Sequence, residues 1–150
     1  MRTAFITALT ELAEKDSRVW LLTGDLGFAM FEDFRQRFPE RFLNVGVAEQ
    51  NLVGVAAGLA LCGKRPFVYS ITTFASMRAY EQIRVDVAYQ QLPVVVVGGG
   101  STFSYSTFGG THMPMEDMAL MRVMPGMAVL SPGDPVEVRK LLFDAHKRNG

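Results

Sequence analysis

The sequence predicts an α/β fold, an open parallel sheet flanked by helices on both faces. Two observations predict it. Strand-length apolar runs recur at Val19-Trp20-Leu21-Leu22, Phe67-Val68-Tyr69-Ser70-Ile71, Val94-Val95-Val96-Val97 and Met127-Ala128-Val129-Leu130. Such near-continuous runs suit strands buried on both faces. Between them lie helix-length segments, and this alternation argues for parallel strands joined by helical crossovers.

Taken in order, Phe5, Leu9, Leu12 and Ala13 recur at helical spacing, and Lys15-Asp16-Ser17 ends that first helix before the Val19 run. Further helices are expected over Ala48 to Cys62, Phe74 to Tyr89 and Met115 to Arg122, with Pro135 opening a last one through His146. The chain of 150 residues fits one domain with a real core, residues 1–150, and has no linker that would divide it. In open parallel sheets ligands sit at the carboxyl ends of the strands. Asp25 follows the first strand, Thr72-Thr73-Phe74 the second and Gly98-Gly99-Gly100 the third, so the chemistry-bearing residues gather at that edge.

Fifteen basic and fifteen acidic residues without a basic cluster remove the electrostatic case for nucleic acid. Pro93, the glycines at 98–100 and several hydroxyl residues interrupt the uncharged stretch from Val87 to Thr111, so it reads as no membrane span. The N-terminus carries an amphipathic pattern rather than the apolar core of a signal peptide. The single cysteine, Cys62, reads as a small buried hydrophobe, and a reducing, cytoplasmic setting is expected.

Glu49 directly precedes an uncharged run, Gln50 to Gly63. Spacing alone makes it a first-turn carboxylate that complements a helix N-terminus. Yet Gly54, Ala56, Ala57, Gly58 and Ala60 punctuate Leu52, Val53, Val55, Leu59 and Leu61, giving a helix nearly apolar all round, which belongs in an interior. Burial there would disfavour the charged carboxylate, as suits a group that exchanges protons.

Other candidates have plain readings by themselves. Asp25 is a turn residue after a strand. Phe74, Met77 and Tyr80 form an apolar stripe of the kind that packs a core. Arg78, Glu81, Arg84 and Asp86 make a charged helix face that is usually solvated. His112 sits in a glycine-rich turn and His146 reads as surface. Gly98-Gly99-Gly100 lacks the lysine and helix start of a phosphate loop and reads as tight backbone turns. The methionines at 115, 118, 121, 124 and 127 read as adaptable packing.

Four segments together carry a resemblance: Thr23-Gly24-Asp25-Leu26-Gly27; Phe38-Pro39-Glu40-Arg41-Phe42-Leu43-Asn44 running into Gly46-Val47-Ala48-Glu49-Gln50-Asn51; Gly63-Lys64-Arg65-Pro66-Phe67; and Gly110-Thr111-His112 with Glu116-Asp117. In order and spacing they resemble the pyrimidine-binding domain of transketolase-like, thiamine-diphosphate-dependent enzymes. The resemblance implies that Glu49 hydrogen-bonds the aminopyrimidine ring of thiamine diphosphate and favours the imino tautomer that deprotonates the thiazolium carbon. Phe74 and Tyr80 would surround the pyrimidine, with Met77 standing where the family carries another aromatic ring. It puts Asp25 in the cofactor pocket or subunit interface, and His112 beside the substrate as a donor or proton shuttle. It also implies a two-carbon ketol, or similar acyl-anion, transfer between carbonyl compounds.

The chain departs from that family in two respects. Family positions that hold a donor phosphate appear as Arg2, Ala29 and Gly100, of which only Arg2 fits, and the aspartate that reads a sugar hydroxyl appears as Phe108. Losing a charge-assisted donor costs roughly 1.5–3 kcal/mol, so the preferred substrate should differ from an ordinary pentose phosphate. No Gly-Asp-Gly magnesium and diphosphate segment occurs. The expectation is therefore that Mg2+ and the diphosphate are held by a transketolase N-terminal subunit, with this chain part of a longer subunit in a homo- or hetero-oligomer. The alternatives are the beta subunit of a 2-oxoacid dehydrogenase, which the Thr111-His112 and Glu116-Asp117 pattern disfavours, and a non-catalytic α/β binding module.

Overall fold

The computed structural model describes residues 1–149. Helix α1 (Arg2–Lys15) leads into strand β1 (Val19–Thr23), a short α2 (Glu32–Arg37), a 3₁₀ turn at Pro39–Arg41 and β2 (Phe42–Asn44). Then come α3 (Glu49–Leu61), β3 (Arg65–Ile71), a helical stretch containing the short α4 (Tyr80–Gln82), β4 (Val95–Gly99), a 3₁₀ turn at Ser106–Thr111, α5 (Asp117–Arg122) and α6 (Pro135–Lys147). The four strands are all parallel, in the order β2-β1-β3-β4, with Leu22 opposite Leu43 and Val68, and Val68 opposite Val96.

Side chains alternate along each strand, so the sheet has two apolar faces. Val19, Leu21, Phe67 and Tyr69 face Phe5, Leu9 and Leu12 of α1, Phe34 of α2, and Val138 and Leu142 of α6. Leu22, Val68 and Val96 face Leu52 and Ala56 of α3. Val94 and Val96 also meet Ile83 and Val87 of the helical stretch after β3. Each fully buried Leu or Phe in these layers contributes roughly 1.5–3 kcal/mol. Local signals fix the helix that closes the first face. Asp134 accepts the Glu137 backbone N–H at 2.8 Å and Pro135 occupies the first turn of α6.

The strand order creates a crevice. From β1 the chain crosses to β2 on one side, then returns past β1 to β3 on the other, so β1 and β3 diverge in connection at their carboxyl ends. Gly24 follows β1 and Ser70 lies near the end of β3, both at this position.

Several sequence expectations change. Met127–Leu130 forms no strand, because no described strand lies alongside to pair its backbone; Met127 instead packs against the cluster of Ile83 and Met124. Strand β2 and helix α2 are too short to show a period of their own. The expected helix from Phe74 to Tyr89 is wound mostly in wide π turns, Phe74–Arg78 and Ile83–Ala88, on either side of α4. Helix α3 is buried on one face only: Gly54, Gly58 and Leu61 are exposed, and so is Cys62, contrary to its reading as buried. His146 is largely covered rather than on the surface, stacked on Phe67 with Nε2 3.2 Å from Asp16 Oδ2. Gly98 and Gly99 belong to β4 itself; a Cβ on Gly98 would come within 2.6 Å of Thr72 Oγ1, and one on Gly99 would collide with the Tyr69 hydroxyl. Only Gly100 turns the chain at positive φ, 83°.

Candidate active site

Glu49 opens α3, preceded by Ala48, whose side chain offers no cap. Asn44, the last residue of β2, sets the approach: its Oδ1 accepts the Asp25 N–H at 2.9 Å and the Gly46 N–H at 3.0 Å, and its Nδ2 donates to Asp25 Oδ1 at 3.0 Å. This clamp ties the loop after β1 to the loop after β2. Gly24 is thereby drawn against Gly46 and Glu49, and a Cβ there would lie 3.3 Å from the Gly46 carbonyl oxygen and 3.6 Å from Glu49 Oε1.

The Glu49 carboxylate is 1 % exposed. Burial of a carboxylate is tolerable only when its oxygens are bonded. Ser70 Oγ donates to Oε1 at 3.1 Å and Arg78 Nη1 donates to Oε2 at 2.9 Å. Ser70 points to the α3 face because it alternates with Tyr69, which faces α1. Arg78 reaches in from the first π segment, its side chain 44 % exposed, and its guanidinium lies 3.8 Å from the centroid of the Phe74 ring.

Beyond Arg78 opens a cleft of about 580 Å³, lined by Phe74, Met77, Arg78, Thr111, Met113 and Glu116 among others. His112, between the lining residues Thr111 and Met113, is edge-on to Phe74 with ring centroids 4.9 Å apart and lies 5.0 Å from Phe108. Thr111 Oγ1 lies 2.8 Å from His112 Nδ1, and Thr73 Oγ1 donates to the Thr111 carbonyl at 3.0 Å, which fixes this turn to the end of β3.

The structure thus brings together Glu49, Phe74, Met77 and His112. It places three other expected residues elsewhere. Tyr80 turns its hydroxyl to the Leu120 carbonyl at 3.2 Å and ties α5 to the helical stretch. Asp25 is exposed, at φ 59°, and pairs with Asn44 outside the cleft lining. Arg2 is exposed at the start of α1, where its charge partly opposes the upward push that burial and Tyr105 exert on the Tyr69 hydroxyl. Sequence reasoning missed Ser70, Asn44, Gly24 and the individual role of Arg78. Gly24 and Asn44 lie inside the four family-like segments, but nothing in their spacing names their partners.

The donor set suits a flat, nitrogen-rich aromatic ring: a buried carboxylate to accept an N–H at one edge and the Phe74 ring and Met77 sulfur to cover a face. Among the described residues no group of three or more His, Cys, Asp or Glu side chains could hold a metal ion.

The family described as the transketolase pyrimidine binding domain matches residues 1–150. The chain is 45% identical over 140 residues to the 6-deoxy-6-sulfo-D-fructose transketolase subunit SqwH of Clostridium sp. (strain MSTE9), covering 93% of this chain and 44% of that protein. It is 38% identical over 142 residues to one of the subunits of apulose-4-phosphate transketolase from Phocaeicola vulgatus, covering 94% and 46%. Among solved structures it resembles a split gene transketolase, an inactive beta4 tetramer, with a TM-score of 0.88 and 40% identity over 99% of this chain and 48% of that one. Pichia stipitis transketolase shares the fold at a TM-score of 0.86 and 19% identity, covering 99% of this chain and 24% of that one. The chain spans about half the length of the two curated relatives. With the whole of its sequence matched and its fold superposing on these proteins, the chain belongs to the transketolase pyrimidine binding domain family.

Proposed function

We propose that this chain is the pyrimidine-binding half of a thiamine-diphosphate-dependent, transketolase-like transferase that moves a two-carbon ketol, or similar acyl-anion, unit between carbonyl compounds. One observation carries the reading: a fully buried carboxylate at the crevice between β1 and β3, joined through Arg78 to a cleft lined by Phe74 and Met77, with His112 packed edge-on against Phe74. When bound, thiamine diphosphate supplies the electron sink. Glu49 accepts a hydrogen bond from a pyrimidine nitrogen and holds or releases a proton at a carboxylate oxygen. Phe74 and Met77 orient the ring and exclude water from it. His112, packed against Phe74, donates to a substrate oxygen and moves a proton there.

Mg2+ and the diphosphate are assigned to a transketolase N-terminal subunit. The absence of a Gly-Asp-Gly segment from the sequence supports this, as does the description of the relatives as subunits and as a split gene product. A partner also fits the open face of α3. A Cβ added at Gly54 or Gly58 meets nothing within 4 Å, so glycine there serves no contact inside this chain, and exposed Val47 and Leu61 flank them. On the substrate side, residues 98–112 carry no Lys, Arg, Asp or Glu, and exposed Phe108 stands where the family resemblance puts an aspartate that reads a sugar hydroxyl. The carbonyl substrate therefore meets no charged side chain from residues 98–112. No described helix is long and apolar enough to cross a membrane, and the free, exposed Cys62 suits a reducing cytoplasm.

The names of the relatives favour ketol transfer over a 2-oxoacid dehydrogenase or a non-catalytic module. The test combines the full-length subunit with a diphosphate-binding subunit, adds thiamine diphosphate and Mg2+, and follows ketol transfer across phosphorylated and unphosphorylated ketoses. Transfer that requires both subunits supports the proposal. An assembly that binds no thiamine diphosphate refutes it.

A further inference from the structure

We propose that Arg78 is a positioning residue that occupies the pyrimidine's place in the cofactor-free chain, pairing Glu49 and covering Phe74 until the ring displaces it. The inference rests on the function proposed above and goes beyond it.

Both halves of the contact are on one side chain. Arg78 Nη1 donates to Glu49 Oε2 at 2.9 Å, and the guanidinium carbon sits 3.8 Å from the Phe74 ring centroid. A guanidinium is planar and delocalised, with N–H groups in its plane and a face that stacks on aromatic rings. An aminopyrimidine offers the same two features, an N–H edge and a flat face. A carboxylate at the edge and a phenyl ring beneath the face recognise either one, and both cannot occupy that space together.

The energetics explain why a stand-in is needed. Glu49 is buried, and a buried carboxylate with an unbonded oxygen is costly. Ser70 serves Oε1 only, so Oε2 depends on Arg78 whenever no ring is present. Oε2 is then the oxygen handed from arginine to cofactor, while Oε1 stays with Ser70. Arg78 is free to leave: it is the half-exposed partner, it lines the open cleft, and it rises from a π-wound segment, a geometry frequent at functional sites.

The experiment uses the full-length subunit assembled with its diphosphate-binding partner, as wild type, Arg78→Met and Arg78→Lys, with thiamine diphosphate and Mg2+ as the probe. Arg78→Met should bind the cofactor about tenfold tighter by calorimetry, the scale of one charge-assisted hydrogen bond removed from the cofactor-free state. Its cofactor-free assembly should melt lower than wild type, whereas the saturated assemblies should melt alike. Arg78→Lys, which keeps the charge but not the plane, should fall between. A wild-type crystal structure with cofactor should show Arg78 off both Phe74 and Glu49. Equal or weaker binding by Arg78→Met, or an Arg78 still paired with Glu49 beneath the bound ring, overturns the inference. Wild-type assembly that binds no thiamine diphosphate overturns the proposed function as well, which separates the two failures.

Discussion

Ser70 donates its hydroxyl to Glu49 Oε1 at 3.1 Å within the buried layer where α3 meets β3. Strand end and helix start are thereby joined around one carboxylate. Glu49→Gln keeps the side chain's shape but cannot exchange a proton. Ketol transfer by the assembled enzyme should fall by about 10²–10⁴-fold, the range of a lost acid-base group, with the melting temperature little changed. Unchanged turnover would remove Glu49 from the chemistry. Ser70→Ala leaves Oε1 without its donor, and chemical denaturation should register a loss of roughly 1–3 kcal/mol.

The Asn44 clamp makes a separate prediction. Asn44→Asp preserves an acceptor for the Asp25 and Gly46 N–H groups but replaces the Nδ2 donor with a carboxylate facing Asp25. Stability should drop by about 1 kcal/mol in urea titrations at neutral pH. An Asn44→Asp variant as stable as wild type at neutral pH would show that the two loops hold their places without it.

Gly58 separates the needs of the chain from those of its assembly. A Cβ there meets nothing, so Gly58→Ala should make the full-length protein more stable, by about 0.5–1 kcal/mol, through helix propensity. Gly58→Leu, read by analytical ultracentrifugation, should weaken association with other subunits because it thickens the exposed face of α3. Wild-type association by Gly58→Leu would place the interface elsewhere.

Near the other end of the sheet, His146 responds to pH. Burial against Phe67 lowers its pKa, outweighing the upward pull of Asp16, and its Nδ1 is buried without a partner. The neutral form, donating from Nε2 to Asp16, is therefore the folded one. A lowered pKa means stability that is full above the unfolded value of about 6.5 and lost as pH falls through the folded value. Asp16, held well below the usual carboxylate range chiefly by its bonds to Arg18, adds stability that is lost only in stronger acid. Thermal melts from about pH 7.5 to 5 should show a falling midpoint in wild type and a flatter profile in His146→Gln. Parallel profiles would rule His146 out as the source.

The periodic elements were legible wherever the sequence carries its own signal. Helices α1 and α6 announce themselves by helical spacing and a proline start, and β1, β3 and β4 by apolar runs. Strand β2 and the broken helix after β3 did not, the first because three residues carry no period and the second because its apolar spacing reads as an ordinary helix and does not announce the π winding seen in the fold. The Met127–Leu130 run shows the converse: it has the composition of a strand, yet a strand exists only when a neighbour shares its ladder.

By itself the sequence determined the alternating α/β order and the family resemblance, and singled out Glu49 as a candidate, because each is written in contiguous residues. Tertiary structure alone decided what Glu49 touches. Ser70 and Arg78 stand 21 and 29 residues away from it, and Asn44 stands 19 from Asp25. Their meeting depends on strand order and on the register that aligns Thr23 with Asn44 and Tyr69. That register is set by two buried faces packing at once, which no local pattern encodes. The same packing left Tyr80, Asp25 and Arg2 outside the cleft and put a guanidinium across its entrance to the carboxylate.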